Sequence, residues 1–317
     1  MKVLLTGAFG NVGSNTLESL IDQGHQVTCF DIKTRANAKT SRRYQDKMTI
    51  IWGDLRRPED VNKAVKDKDV VVHLAFIIPP ACEKNPSWAK EINVGGTRNL
   101  LNAIKALPTP PKIIFSSSIS VYGPTADKEP PRRTTDPVNP IDDYTHHKVE
   151  CEKMVQESGL QWAILRFGAV PLLGQIDPIM FDIPLDTRIE FVHPRDVGLA
   201  VTNAVSCSEV FGRILNIGGG PSGQLYYKTY LARLMEGAGL GMFPEEAFGI
   251  KPYYTDWMDT EESQRLLKYQ RYPFEKYIEE MPSALGYKYQ MSKMLKPLIS
   301  KFVLSKSPYY KSRKSTA

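Results

Sequence analysis

The stretch MKVLLTGAFGNVGSN (residues 1–15) decides the fold: a short apolar run, Val3-Leu4-Leu5, gives way to three glycines at even spacing, Gly7, Gly10 and Gly13. The apolar region of a secretory signal runs for roughly 7–15 residues. This one stops at Thr6 and is read as a buried strand of mature structure. Downstream, NTLESLIDQGHQV (15–27) places Leu17, Leu20 and Ile21 at i, i+3, i+4, the pattern of an amphipathic helix closing near Gly24. QVTCFD (26–31) supplies a second strand, and strand, glycine turn, helix, strand is a βαβ unit.

In that unit the glycines allow a tight turn, a close approach of backbone N–H groups to a pyrophosphate, and a helix lying close on its strand. The positive end of the helix then faces the phosphates. Asp31, 21 residues after Gly10, stands where a carboxylate accepts ribose hydroxyls. A 2′-phosphate would meet like charge there, which favours NAD over NADP, although Lys33 and Arg35 nearby temper the preference. The spacing is G-x-x-G-x-x-G and not G-x-G-x-x-G, so the surroundings must decide.

Four further segments, MTIIWGDL (48–55), DVVVHLAF (69–76), KIIFSSSISVYG (112–123) and WAILRFG (162–168), read as continuous apolar strands, with helical patterns at about 58–67, 88–106 and 143–158 between them. Alternating β and α elements predict an α/β fold, a Rossmann-type doubly wound parallel sheet. Ligands of such sheets gather at the carboxyl ends of the strands, where Gly7, Asp31, Asp54, Ala75 and Ser118 fall.

Within DDYTHHKVECEKM (142–154), Tyr144 and Lys148 are four apart and project from one helix face. An ammonium beside a phenol favours the phenolate, so a lowered Tyr144 pKa and a proton donor and acceptor are expected. Tyr-x-x-x-Lys by itself also describes a solvated helix face. Ser116 to Ser118 end a strand, where hydroxyls either hydrogen-bond a substrate oxygen or serve turn chemistry.

Together these motifs resemble the extended branch of the short-chain dehydrogenase/reductase superfamily, the NAD-dependent epimerase/dehydratases. The likeness covers roughly residues 1–220, through T-G-A-F-G-N-V-G (6–13), Asp31, G-D-L (53–55), H-L-A (73–75), N-V-G-G-T-R-N-L-L (93–101), S-S-S-I-S-V-Y-G (116–123), Tyr144-x-x-x-Lys148, L-R (165–166), F-V-H-P-R-D-V (191–197) and N-I-G-G-G (216–220). It implies Tyr144 as general acid/base, Lys148 on the nicotinamide ribose, and Ser118 orienting the reacting oxygen, with Ser117 and Ser120 as lesser candidates. It implies Asp54 at the adenine, Asn93 in the active-site scaffold, and cofactor contacts from Gly7, Phe9, Gly10, Asn11, Val12, Gly13, Asp31, Leu55, Leu74, Ala75 and Ser116. A homodimer through the helices at 88–106 and 143–158 is also implied.

Departures narrow the activity. Ile119 and Ser120 stand where sugar-nucleotide dehydratases carry an acidic pair, so dehydration is not expected. L-R-F-G-A-V-P-L-L-G (165–174) has Ala169 where epimerases of UDP-sugars carry asparagine, and only 22 residues separate Gly168 from Phe191. The expectation is an NAD-dependent oxidoreductase exchanging hydride with a carbinol or carbonyl carbon. A nucleotide-sugar epimerase that recycles its NAD, and a cofactor-binding regulatory protein without turnover, are the alternatives.

Residues 1–168 are read as the NAD(P)-binding core. Residues 169–317 are read as substrate-lobe segments (about 169–190 and 221–290), a return to the core (about 191–220) and a basic tail (about 288–317). KTYLARLMEGAGL (228–240) and TEESQRLLKYQRYPFEKYIEEM (260–281) read as helices, the second N-capped by Thr260, while Tyr253, Tyr254 and Trp257 either line a pocket or pack as core.

The net charge of +6 belongs to the tail: no acidic residue follows Glu280, and removing the eight basic residues beyond it from 41 leaves 33 against 35 acidic. In MSKMLKPLISKFVL (291–304) the apolar positions follow helical spacing, with lysines off the stripe and Pro297 as an interruption. Such a helix packs on its own domain or a partner, or lies on an anionic membrane. No groove-reading or stacking element points to nucleic acid. Four scattered cysteines and five histidines show neither disulfide nor metal-ligand spacing, and no apolar run reaches the roughly 18 residues that span a bilayer, so a cytoplasmic protein without metal is expected.

Overall fold

Val3, Leu4 and Leu5 lie in β1 (Lys2–Thr6) with no exposed surface, as a strand covered on both faces requires. The structure, a computed structural model, describes residues 1–174 and 177–310; Lys311, Arg313 and Lys314 of the basic tail lie outside them. The further strands are β2 (Gln26–Asp31), β3 (Thr49–Trp52), β4 (Val70–His73), β5 (Lys112–Ser118), β6 (Trp162–Phe167), β7 (Arg188–Glu190), β8 (Arg213–Ile217) and β9 (Gln224–Tyr226).

Seven of them form one parallel sheet in the order β3-β2-β1-β4-β5-β6-β8, while β7 and β9 pair antiparallel apart from it. Sequential strands run outward from β1 in one direction and return from β4 in the other, so the sheet reverses between β1 and β4. A crevice forms at such a switch point, beyond the carboxyl ends of the strands.

Helices Asn11–Asp22 and Pro194–Ser206 cover one face, burying Leu17, Leu20, Val197 and Val201 against alternate strand residues. They approach closely because Gly198 has no side chain; a Cβ there would stand 2.6 Å from the Asn15 backbone. The opposite face is covered by Pro58–Ala64, Gly96–Lys105 and Asp143–Gln156. The pattern expected as one helix at 88–106 begins at Pro86, passes through a π-turn at Glu91–Gly95, and continues as Gly96–Lys105. A π-turn widens the helix by one residue and commonly marks functional positions. Here it carries Asn93.

Residues from both about 180–191 and the last third build a separate aromatic cluster, Phe181, Phe191, Tyr230, Phe274 and Tyr277, beside the sheet end. Two expectations change here. Residues 260–281 are two helices, Glu261–Leu267 and Phe274–Leu285, because Lys268 adopts φ +49° and Pro273 restarts the chain. Thr260 occupies the cap position without a side-chain cap bond. The helical pattern over 291–304 is interrupted as Pro297 predicts: one helix ends at Met294 and the next, Lys296–Leu304, takes Pro297 into its first turn, where its missing N–H costs nothing. Among the described residues no helix is long and apolar enough to cross a membrane.

Candidate active site

Gly7 takes φ +66°, and a Cβ on it would lie 2.7 Å from the Ala75 backbone nitrogen, so β1 can turn against the end of β4 only with glycine. Gly13 is tighter: its Cβ would sit 2.0 Å from the Gly7 carbonyl oxygen. Gly10 caps Asn11–Asp22 without a side-chain bond, leaving the first-turn N–H groups of that helix free of side-chain partners. A cradle with no room for side chains and a ring of backbone donors fits a dinucleotide pyrophosphate. The obstacle at Gly13 is backbone and cannot rotate away. Gly13→Ala is therefore expected to lower stability by about 1–3 kcal/mol and to abolish the melting-temperature rise given by added NAD; an unchanged rise would contradict the packing argument.

Phe9, Asn11 and Val12 hold this turn in place. The Phe9 N–H donates to Asp31 Oδ2 (3.0 Å), Asn11 Nδ2 donates to the Pro171 carbonyl (3.2 Å), and Val12 packs on the core. Asp31 Oδ1 accepts from the Ile32 N–H and from Asn37 Nδ2. Burial pushes its carboxyl upward while the two backbone donors oppose the shift. Asp54 is gripped by its neighbour: Arg56 Nη2 donates to Oδ2 at 2.6 Å and Nε reaches both oxygens, and this pairing holds the carboxyl below its usual range. Leu55 is buried under Gly96, and Leu74 packs on the core beside Ala75, whose N–H donates to Thr6 Oγ1.

Asn93 is fully buried and pairs with Ile77 as a strand neighbour would, Oδ1 accepting its N–H (2.7 Å) and Nδ2 donating to its carbonyl (3.0 Å). The loop after β4 is thereby fixed to the π-turn. That loop presents Phe76.

Ser116 donates to the His73 carbonyl and accepts, through its own carbonyl, the Lys148 Nζ at 2.6 Å. Ser118 donates to Ser120 Oγ (3.1 Å) and accepts the Ser120 N–H (3.2 Å). Ser117 points to the other side of the strand, its buried hydroxyl without a partner among the described residues. Tyr144 and Lys148 rise from Asp143–Gln156, a helix started by Asp142 and Thr145, each side chain bonding the other's backbone.

The lowered Tyr144 pKa expected from the sequence is absent. Burial pushes its phenol up to about 12, against the opposing pull of a hydrogen bond with Ser118. Lys148 is not alongside the phenol but over the face of Phe76 (3.6 Å), 5.9 Å from the Tyr144 ring centre, and Phe76 meets Tyr144 edge-on. Burial lowers Lys148 from near 10.5 to about 7. An unfolded lysine keeps its proton up to about pH 10.4, so between the two values the unfolded chain binds more protons and stability rises with pH. Lys148→Met is expected to gain stability over the wild type at pH 6, and to lose that advantage steadily above pH 7 in denaturant titrations. A difference independent of pH would refute the buried ammonium.

Tyr144 and Ser118 open onto a cavity of about 550 Å³. Part of its wall comes from the strand ends and residues 168–189 and part from the last third of the chain, where Leu231, Leu234, Met235, Leu240 and Met281 give an apolar interior. Tyr253 and Tyr254 are stacked at 4.3 Å and line it, which selects the pocket over the core for this pair. Among the described residues Lys288 is the one cation in its wall, and no arginine lines it. Apart from Tyr253 and Tyr254, neither Phe76 nor these walls are among the site residues that the sequence suggests. Phe76 follows H-L-A directly at a strand end, a position that could have marked it; the walls come together only through tertiary contacts. Among the described residues no three His, Cys, Asp or Glu side chains gather as metal ligands.

A parallel sheet with its order reversing at a glycine turn, and a Ser, Tyr and Lys beside it, defines a Rossmann-type protein with a dinucleotide cradle. A model of the NAD dependent epimerase/dehydratase family matches residues 3–171, and the chain belongs to that family. It is similar to UDP-glucose 4-epimerase of Lacticaseibacillus casei, 30% identical over 208 residues (59% of this chain, 61% of the relative). It is also similar to 3-beta-hydroxysteroid dehydrogenase of Mycolicibacterium neoaurum, 29% identical over 188 residues (57% and 50%). The aligned part spans about half the length of such curated relatives. Among solved structures, UDP-glucuronic acid 4-epimerase of Bacillus cereus in complex with UDP-glucuronic acid and NAD has the same fold, with a TM-score of 0.76 at 22% identity over 92% of this chain and all of that one.

Proposed function

We propose that this chain is an NAD-dependent oxidoreductase that interconverts a secondary alcohol and a ketone on a substrate with an apolar body. The carrying observation is the meeting of the Tyr144 and Ser118 hydroxyls at the wall of an apolar cavity, at the carboxyl edge of the sheet. Gly7, Phe9 to Gly13 and Asp31 would hold the dinucleotide, with Lys148 and Tyr144 at its nicotinamide end. When bound, it supplies hydride exchange at C4 of the nicotinamide. Tyr144 exchanges the proton of the substrate hydroxyl, and Ser118 fixes the oxygen by hydrogen bonding. Protonated at neutral pH in this buried setting, Tyr144 is poised as the donor that ketone reduction needs. The cavity walls strip water from the reacting carbon. The same reading makes residues 169–190 and 221–290 the substrate lobe and the protein a cytoplasmic homodimer.

Nucleotide-sugar epimerisation is the second reading, favoured by the names of the relatives. It is weaker because a diphosphate carries charges that arginine forks usually match, and among the described residues the cavity wall offers Lys288 alone. Incubation with NADH and a panel of apolar ketones and UDP-sugars separates the two. Net loss of reduced-nicotinamide absorbance with an apolar ketone is expected. Epimerised sugar without net absorbance change would overturn the reading.

A further inference from the structure

The two C-terminal helices, Tyr287–Met294 and Lys296–Leu304, divide their apolar residues between two sides. Ile299 and Val303 pack inward on the aromatic cluster. Met294, Leu298 and Phe302 face solvent, 80%, 67% and 62% exposed, with Tyr287 and Met291 beside them. Of the three settings expected for this segment, its own domain, a partner or an anionic membrane, its own domain takes only one side of the pair. Large apolar side chains at this exposure on successive turns are not random surface; a contiguous patch of this kind marks a contact.

Charge identifies the contact. Lys288, Lys293, Lys296, Lys301 and Lys306 surround the patch, no acidic residue follows Glu280 in the sequence, and none of these lysines pairs with a carboxylate among the described residues. A second copy would meet this face through a two-fold axis, which sets the same patch against itself and brings like charges together. An anionic lipid surface has the opposite sign and takes apolar side chains below its headgroups. We infer that residues 287–306 form a docking face for an anionic membrane surface, lying on it and not spanning it. Its position has a use. The same helices give Lys288, Ser292 and Ile299 to the wall of the apolar cavity, and exposed Ile78 and Leu172 also line it. A substrate dissolved in lipid would then reach Tyr144 without crossing water. This last step rests on the proposed oxidoreductase reading; the docking itself does not.

The test is co-sedimentation of the full chain with vesicles of phosphatidylcholine alone, or with roughly one third phosphatidylserine. Binding is expected only with phosphatidylserine, and to fall steeply between about 0.05 and 0.5 M salt as the charges are screened. Reversing Lys293, Lys296 and Lys301 to glutamate should weaken the partition by at least about 100-fold, since each lysine near the surface counts for roughly a factor of five. Met294→Ser, Leu298→Ser and Phe302→Ser together should weaken it as well. All six positions are exposed, so the circular dichroism of the variants should match the wild type. Equal binding to both vesicle types, no binding to either, or a concentration-dependent dimer abolished by Phe302→Ser would each overturn the docking face. Vesicle binding without any turnover would uphold it while removing the enzymatic reading.

Discussion

Tyr144→Phe is expected to lower kcat by about 10²–10⁴-fold, the range that a positioned proton donor contributes, while leaving dinucleotide binding intact. The ring that meets Phe76 edge-on is kept, the Ser118–Ser120 pair is untouched, and only the hydroxyl disappears. NAD-induced thermal stabilisation should thus match the wild type, which separates loss of chemistry from loss of the site. The direction of reaction adds a second readout. A phenol raised to about 12 carries its proton at neutral pH, so ketone reduction starts from the competent form and alcohol oxidation must first lose a proton. Oxidation kcat/KM is expected to rise with pH through the accessible range, and reduction kcat/KM to stay nearly level until the alkaline end. Turnover of Tyr144→Phe within about twofold of the wild type would remove the phenol from proton transfer.

The parts of this molecule legible in the sequence are those whose chemistry is local. The glycine turn was readable because Gly7 and Gly13 answer to backbone atoms a few residues away or on the adjoining strand end, and Tyr144 and Lys148 because helix geometry alone places them together. The wrong expectation about the Tyr144 phenol has the opposite origin. Its pKa is set by burial under groups distant in sequence, and Phe76 takes the ammonium that spacing alone had given to the tyrosine. The cavity walls were hidden for the same reason: Leu234, Met281 and Ile299 are ordinary helix residues until three separate helices converge. Residues 260–281 misled because a helical period persists across Lys268, where the left-handed backbone breaks it. Trp257, which the sequence places in either pocket or core, donates its indole N–H to the carbonyl of Leu225 in β9.

The second large effect concerns how the helix bearing Tyr144 is fastened. Glu152, on its inner face, receives Arg166 of β6 through two bonds, Nε to Oε1 at 2.9 Å and Nη2 to Oε2 at 2.7 Å, with both side chains nearly fully buried. Arg166 Nη1 also donates to Tyr122, whose hydroxyl donates to Asn216 of β8. The chain of bonds thus runs from the helix bearing Tyr144 across two strands. Removing the carboxylate strands a guanidinium where water cannot solvate it. Glu152→Ala is therefore expected to cost about 3–5 kcal/mol in unfolding free energy, the usual penalty for breaking one side of a buried ion pair. Glu152→Gln should recover little of it, since it keeps the shape and loses the charge. Replacing both partners, Glu152→Leu with Arg166→Met, should restore most of the stability, because an apolar pair leaves no uncompensated charge. Denaturant midpoints of the three variants decide the matter: a double variant as unstable as Glu152→Ala would mean that the lost packing, and not the abandoned guanidinium, sets the cost.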